Sequence, residues 1–174
     1  SGNMPNWTVA MFSCVPFGRV TVPILPDSSA SEVTNILNHS ECKAIFVSKK
    51  QLGKLSQEVI DKMTLVIDIE TFELIKKDDK AFTCEGHGVD PQADDLASII
   101  YTSGTSGKAK GVMLSHRNFC QNVIAAYHAQ KAGKRDRWLS ILPMSHTYEM
   151  AFSVLYPLYV GGCVYYIQKP PTPS

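Results

Sequence analysis

Apolar positions along the chain alternate between a helical spacing and short β-branched runs. Trp7, Ala10, Met11 and Cys14 recur at helical intervals, with Gly18 placed to stop the helix they predict. Residues 20–25 then read as a strand. Ser29 followed by Glu32 has the capping-box spacing, and Val33, Ile36 and Leu37 would share one face of the helix it opens. A strand at 44–47 comes next, and Ser48 with Gln51 predicts a second capping box leading a helix to about Met63. Residues 65–69 (LVIDI) and 96–101 (LASIIY) are further short apolar runs, and 112–114 read as another strand. Ser115 is placed to cap a helix running from about His116 to Lys131. Residues 150–168 carry no charge and approach the length of a membrane span, but Pro157 and the pair Gly161 and Gly162 divide them into a helix, a turn and a strand at 163–167. The alternation predicts an α/β fold, a mostly parallel sheet flanked by helices, with ligands at the carboxyl ends of its strands.

Residues 76–95 interrupt this order with a KKDDK run, Gly86, Gly88, Pro91 and the pair Asp94 and Asp95. They read as a polar surface excursion, and both acidic pairs, Asp78 with Asp79 and Asp94 with Asp95, read as solvated charge without chemistry. At 174 residues and 44% hydrophobic content the chain can bury one ordinary core. Its net charge of +1 supplies no basic stripe, so no nucleic-acid partner is expected. The five cysteines, Cys14, Cys42, Cys84, Cys120 and Cys163, are odd in number and form no C-x-x-C pair. They suggest reduced thiols in a cytoplasmic protein, with neither a disulfide framework nor a zinc site. Ser1, Gly2 and Asn3 do not open a basic region followed by an apolar one, so no secretory signal is expected there.

The apolar run at 96–101 opens into the densest polar motif of the chain: Tyr101, Thr102, Ser103, Gly104, Thr105, Ser106, Gly107, Lys108, Ala109, Lys110 and Gly111. Glycines at 104, 107 and 111 allow positive φ and remove Cβ atoms, so that successive N–H groups can turn towards an anion. Thr102, Ser103, Thr105 and Ser106 add hydroxyl donors, while Lys108 and Lys110 add charge. Two positions apart, the lysines point opposite ways, and Lys110 is taken as the one that reaches phosphate. A Walker loop is excluded, because two residues rather than four separate Gly104 from Gly107 and Ala109 follows Lys108. A flexible Gly/Ser surface loop is the alternative that spacing leaves open.

The motif closely resembles the phosphate loop of the adenylate-forming (AMP-binding) superfamily, with Ala109 where that family usually has proline. Two other segments carry the same resemblance. Asn3, Met4, Pro5, Asn6 and Trp7, followed by residues 17–26, are similar to the family's early helix and strand. Residues 139–149 (LSILPMSHTYE) are similar to its next motif in the form typical of long-chain fatty acid CoA ligases. The resemblance implies that the chain is part of the large N-terminal domain of an acyl-CoA synthetase, with the C-terminal domain absent from these residues. Such an enzyme activates a fatty acid with ATP to an acyl-adenylate and pyrophosphate, then forms the CoA thioester.

Under that resemblance ATP and CoA are substrates and Mg²⁺ the metal. Lys110 would neutralise the β- and γ-phosphates as pyrophosphate leaves, and residues 101–108 with Gly111 would line the nucleotide phosphates. Thr102 would approach Mg²⁺, and His146 would sit between the nucleotide and acyl pockets. By sequence alone a lone histidine beside an apolar helix reads as a packed core residue, and the motif reverses that reading; Tyr148, Glu149 and Met150 would then line or gate the acyl site, with plain core the alternative for Tyr148 and Met150. His39, His87, His116 and His128 share no spacing and are read as structural. The family's downstream adenine, ribose and hinge motifs are not found in these residues, so the 174 residues alone are expected to be inactive, while the sequence leaves open a peripheral membrane contact of the whole enzyme. Other readings are an aryl- or amino-acid-activating member of the superfamily, or a non-catalytic phosphate- or nucleotide-binding module.

Overall fold

Two of the helix starts form as their capping sequences require. In the computed structural model, which describes residues 1–78, 89–102 and 110–167, Ser29 caps helix α2 (Ala30–His39). Its Oγ accepts from the Glu32 N–H at 3.3 Å while the Glu32 carboxylate accepts from the Ser29 N–H at 2.7 Å. Ahead of it lies α1 (Pro5–Phe12), with proline in its first turn, and a 3₁₀ turn (Val15–Phe17) that closes on Gly18 at φ 67°. Ser115 starts the longest helix in the same manner, with Asn118 in the role usually taken by glutamate.

Between these two helices the predicted segment from Ser48 to Met63 divides. Ser48 makes no side-chain cap, and α3 (Lys49–Leu52) is a single turn that stops at Gly53. Ser56 then caps α4 (Gln57–Lys62) by accepting from the Val59 N–H at 3.3 Å. The break falls between Gly53 and Ser56, and the residues between them make tertiary contacts. Lys54 donates to the carbonyls of Pro26 and Ser28 at 2.7 Å each, and Leu55 is drawn into the core.

The strands are β1 (Ala44–Val47), β2 (Leu65–Asp68), β3 (Leu74–Lys77), β4 (Leu96–Thr102), β5 (Lys110–Ser115), β6 (Arg137–Ser140) and β7 (Cys163–Tyr166). The α/β class holds, with mixed pairing. β1 runs parallel to β2, and β6 to β7, while β2 with β3 and β4 with β5 are antiparallel. Of the strand predicted at 20–25, one parallel bridge forms, Thr21 opposite Ser98. Pro23 and Pro26 lack the N–H groups a ladder needs, which is why pairing stops there.

The polar excursion also starts later than its composition suggests. Residues 74–77 form β3, and Lys76 is a cap rather than a solvated charge: its Nζ donates to the carbonyls of Ile60, Asp61 and Met63 at the end of α4. Asp94 holds Arg117 through two hydrogen bonds of 2.6 and 2.9 Å, and the guanidinium keeps its carboxyl below the usual range.

Three apolar clusters hold these parts. Val33 and Leu37 of α2 pack with Val47, Val59, Met63 and Val66. A second cluster joins Met11 of α1, Ile100 of β4 and Met150, and a third joins Val123 and Ala126 of α5 (His116–Ala129) to Tyr156. The uncharged stretch starts as a π-helical segment (Met150–Leu155) and α7 (Tyr156–Val160), which continue directly from α6 (Thr147–Glu149). α7 ends at Gly161, φ 73°, and β7 follows. Among the described residues no helix is long and apolar enough to cross a membrane.

Candidate active site: the hairpin neck and the His146 turn

β4 and β5 form a hairpin whose neck is the last described part of the phosphate-loop motif. Tyr101 pairs with Gly111, and Thr102 with Lys110. Ser103, Gly104, Thr105, Ser106, Gly107 and Lys108 lie outside the described residues. The neck therefore brings Thr102 and Lys110 side by side at the carboxyl end of β4, both exposed where a phosphate could be reached.

Gly111 serves the neck by what it lacks. A Cβ there would stand 2.8 Å from Ile99 Cγ2 and 3.4 Å from Tyr101 Cζ. The requirement is close cross-strand approach, since Gly111 is not among the glycines with positive φ. Beneath the neck, Ala97 and Ser98 are fully buried, and Ser98 Oγ donates to the Thr21 carbonyl at 3.0 Å.

Tyr101 reaches a residue that sequence alone left without a role. Its hydroxyl lies 2.6 Å from His39 Nδ1 at the end of α2, with the two rings edge to face. Which atom donates depends on the imidazole tautomer. Burial, and then the neighbouring Cys42, push the phenol above its usual range, while the Ser40 hydroxyl acts in the opposite direction.

His146 occupies the N-cap of α6. Its Nδ1 accepts from the Tyr148 N–H at 3.3 Å, and the ring is exposed rather than packed in the core. Of the two readings that composition allows, the structure thus favours an accessible histidine. Tyr148 is also exposed and stacks on Phe152, whereas Met150 is completely buried and belongs to the core. Glu149 is buried, with its Oε1 lacking a hydrogen-bond partner among the described residues.

The turn before His146 is fixed from the other end of the chain. Asn3 is buried, and its Nδ2 donates to Ser140 Oγ at 3.0 Å and to the Leu142 carbonyl at 2.7 Å. Its Oδ1 accepts from the Met144 N–H at 3.1 Å. The spacing of polar residues around Asn3 holds no sign of this, because the partners lie 137 to 141 residues away.

The neck and the turn meet through the core. Ile100, next to Tyr101, and Met150, four residues after His146, share one cluster with Met11. A cavity of about 910 Å³ lies elsewhere, between residues 19–26 and the α2–β1 region, and neither Lys110 nor His146 lines it. We assign it no chemistry. Among the described residues no three His, Cys, Asp or Glu side chains converge on a possible metal position. Thr102 offers one exposed neutral oxygen, so any Mg²⁺ held here would take its other ligands from phosphates or from elsewhere in the protein.

A hairpin neck carrying Thr102 and Lys110 and a helix capped by an exposed histidine are joined through one apolar cluster in an α/β fold. The chain belongs to the AMP-binding enzyme family, whose model matches residues 1–174. It is 29% identical to long chain acyl-CoA synthetase 6, peroxisomal, of Arabidopsis thaliana, over 95% of this chain and 26% of that protein. It is 30% identical to long-chain-fatty-acid–CoA ligase 1 of Cavia porcellus, over 84% of this chain and 25% of that protein. The chain thus spans about a quarter of the length of these curated relatives. The solved structure of ATP-bound MatB from Rhodopseudomonas palustris has the same fold, with a TM-score of 0.78 over 97% of this chain and 34% of that one at 21% identity.

Proposed function

We propose that these residues are part of the large N-terminal domain of an acyl-CoA synthetase that activates a long-chain fatty acid with ATP and passes the acyl group to CoA. The observation that carries the reading is the pairing of Thr102 with Lys110 at the hairpin neck, joined through the Met11, Ile100 and Met150 cluster to the helix that His146 caps. The similarity to long-chain ligases supports the fatty acid as substrate.

In this reading the hairpin is one half of a nucleotide site. Lys110 places a cation beside the β- and γ-phosphates, where negative charge accumulates as the carboxylate attacks the α-phosphorus and pyrophosphate departs. The hydroxyls of Thr102, Ser103, Thr105 and Ser106 donate to phosphate oxygens, and Tyr101, Gly104, Gly107, Lys108 and Gly111 shape the backbone around them. Thr102 is the residue of this chain that would help hold Mg²⁺, which would supply neutralisation of phosphate charge. His146 orients the groups that meet between the nucleotide and the acyl chain. A cytoplasmic setting, with peripheral membrane contact to collect fatty acid, belongs to the same proposal; the thiols of Cys14, Cys42, Cys120 and Cys163, all free, suit a reducing compartment.

The test is fatty-acid-dependent ATP–pyrophosphate exchange by the full-length protein. One charge-assisted contact is worth roughly 1.5 to 3 kcal/mol, so Lys110→Ala should lower the rate on the order of tenfold to a hundredfold. An unchanged rate removes Lys110 from the site, and exchange driven by aryl or amino acids but by no fatty acid overturns the substrate. The 174 residues alone, a quarter of their relatives, should show no exchange.

A further inference from the structure

We propose that Asn3 is the positioning residue for His146, a role that rests on the reading of His146 given above. A buried amide must satisfy its polar atoms, and Asn3 does so entirely on the segment that leads into His146. Its amide nitrogen holds Ser140 Oγ and the Leu142 carbonyl, while its carbonyl oxygen takes the Met144 N–H. The three contacts grip both sides of Pro143.

From Met144 the constraint passes to the histidine through short links. The His146 N–H donates to the Pro143 carbonyl at 2.8 Å, so the turn closes immediately after the gripped peptide groups. Met144 and Ser145 are both buried and cannot swing into solvent. The His146 carbonyl then accepts from the Met150 N–H at 2.9 Å, and Met150 is anchored in the core. His146 is exposed, yet it stands between two immobilised points, and Asn3 supplies the first.

Ser140 is the backstop of the clamp. It is buried at the end of β6, and its carbonyl accepts from the Ile167 N–H at 3.0 Å, so the hydroxyl that meets Asn3 is itself fixed by the β6–β7 pair. Asn3 therefore reads the position of that sheet and transmits it to the turn. An aspartate of the same shape would retain the acceptor for Met144 but could not donate to the Leu142 carbonyl.

The experiment is a double-mutant cycle in the full-length protein, measured by ATP–pyrophosphate exchange with a long-chain fatty acid and by hydrogen exchange of residues 142–148. Asn3→Ala should lower kcat roughly tenfold with little change in the KM for ATP, because misplacing a contributing group costs rate more than nucleotide binding. In the His146→Ala background the same substitution should change kcat less than about twofold, since sites acting through one another are not additive. Equal losses in the two backgrounds, or no loss in either, overturn the proposal.

If Asn3→Ala does not fold, Ser140→Ala decides the question. It removes one of the three contacts and should cost roughly twofold to fivefold, again only when His146 is present; an effect independent of His146 overturns the proposal. Hydrogen exchange separates this failure from failure of the proposed function. Should the parent protein show no fatty-acid-dependent exchange, the functional reading falls. The clamp is then judged by whether the Met144 amide, protected in the parent, exchanges freely in the variant; unchanged protection overturns it.

Discussion

At the hairpin neck, Tyr101, Thr102, Lys110 and Gly111 are fixed by cross-strand pairing and by a solvent-exposed contact between Tyr101 and His39. The turn before His146 has no strand partner at residues 142–146 among the described residues and depends on a buried amide that uses both of its polar atoms. The difference lies in competition with water. An exposed hydrogen bond is exchanged for one with solvent at little cost, whereas a buried group left without a partner bears its full desolvation penalty. The neck should therefore tolerate polar deletions and resist added volume, and the turn should behave the opposite way.

The largest expected effect strikes the core that the two regions share. Met150 is fully buried beside Met11 and Ile100, so Met150→Ala should destabilise the domain by about 2–5 kcal/mol in denaturant unfolding. A loss below about 0.5 kcal/mol would show that the neck and the turn do not depend on a common cluster.

Adding volume at the neck comes next. Gly111→Ala would place a methyl 2.8 Å from Ile99 Cγ2, and the displaced strand should cost about 1–3 kcal/mol and raise the KM for ATP. Full stability and an unchanged KM would mean that the hairpin can widen freely, which would break the contrast.

The smallest effect is expected from the exposed contact. Tyr101→Phe keeps the ring and removes only the hydroxyl facing His39, so stability should fall by no more than about 1 kcal/mol. A loss above about 2 kcal/mol would place that contact in a dry environment in the assembled enzyme, making neck and turn alike.

Much of the architecture was legible because its signals are local. The capping box at Ser29 and the cap at Ser115 act within one helical turn, and both formed, whereas the box expected at Ser48 did not. β1, β2 and β4 lie on the apolar runs that predict them, and the uncharged stretch after Met150 divided at Gly161. Where the prediction departed from the structure, a distant partner intervened. The Ser48 helix broke between Gly53 and Ser56, where Lys54 and Leu55 are held by distant partners, and Lys76 left the polar excursion to cap α4. At the site, Lys110 and His146 stood out by motif, while Asn3 and His39 carried no local mark of their contacts.

The sequence by itself determined the phosphate-loop motif, the family resemblance and the helix starts, since each depends on residue types a few positions apart. Only the tertiary structure decided that Thr102 faces Lys110, that Met150 is core while His146 is exposed, and that Asn3 grips a turn some 140 residues away. A hydrogen bond across that separation requires the whole intervening chain to fold first, and no spacing rule in one dimension encodes it.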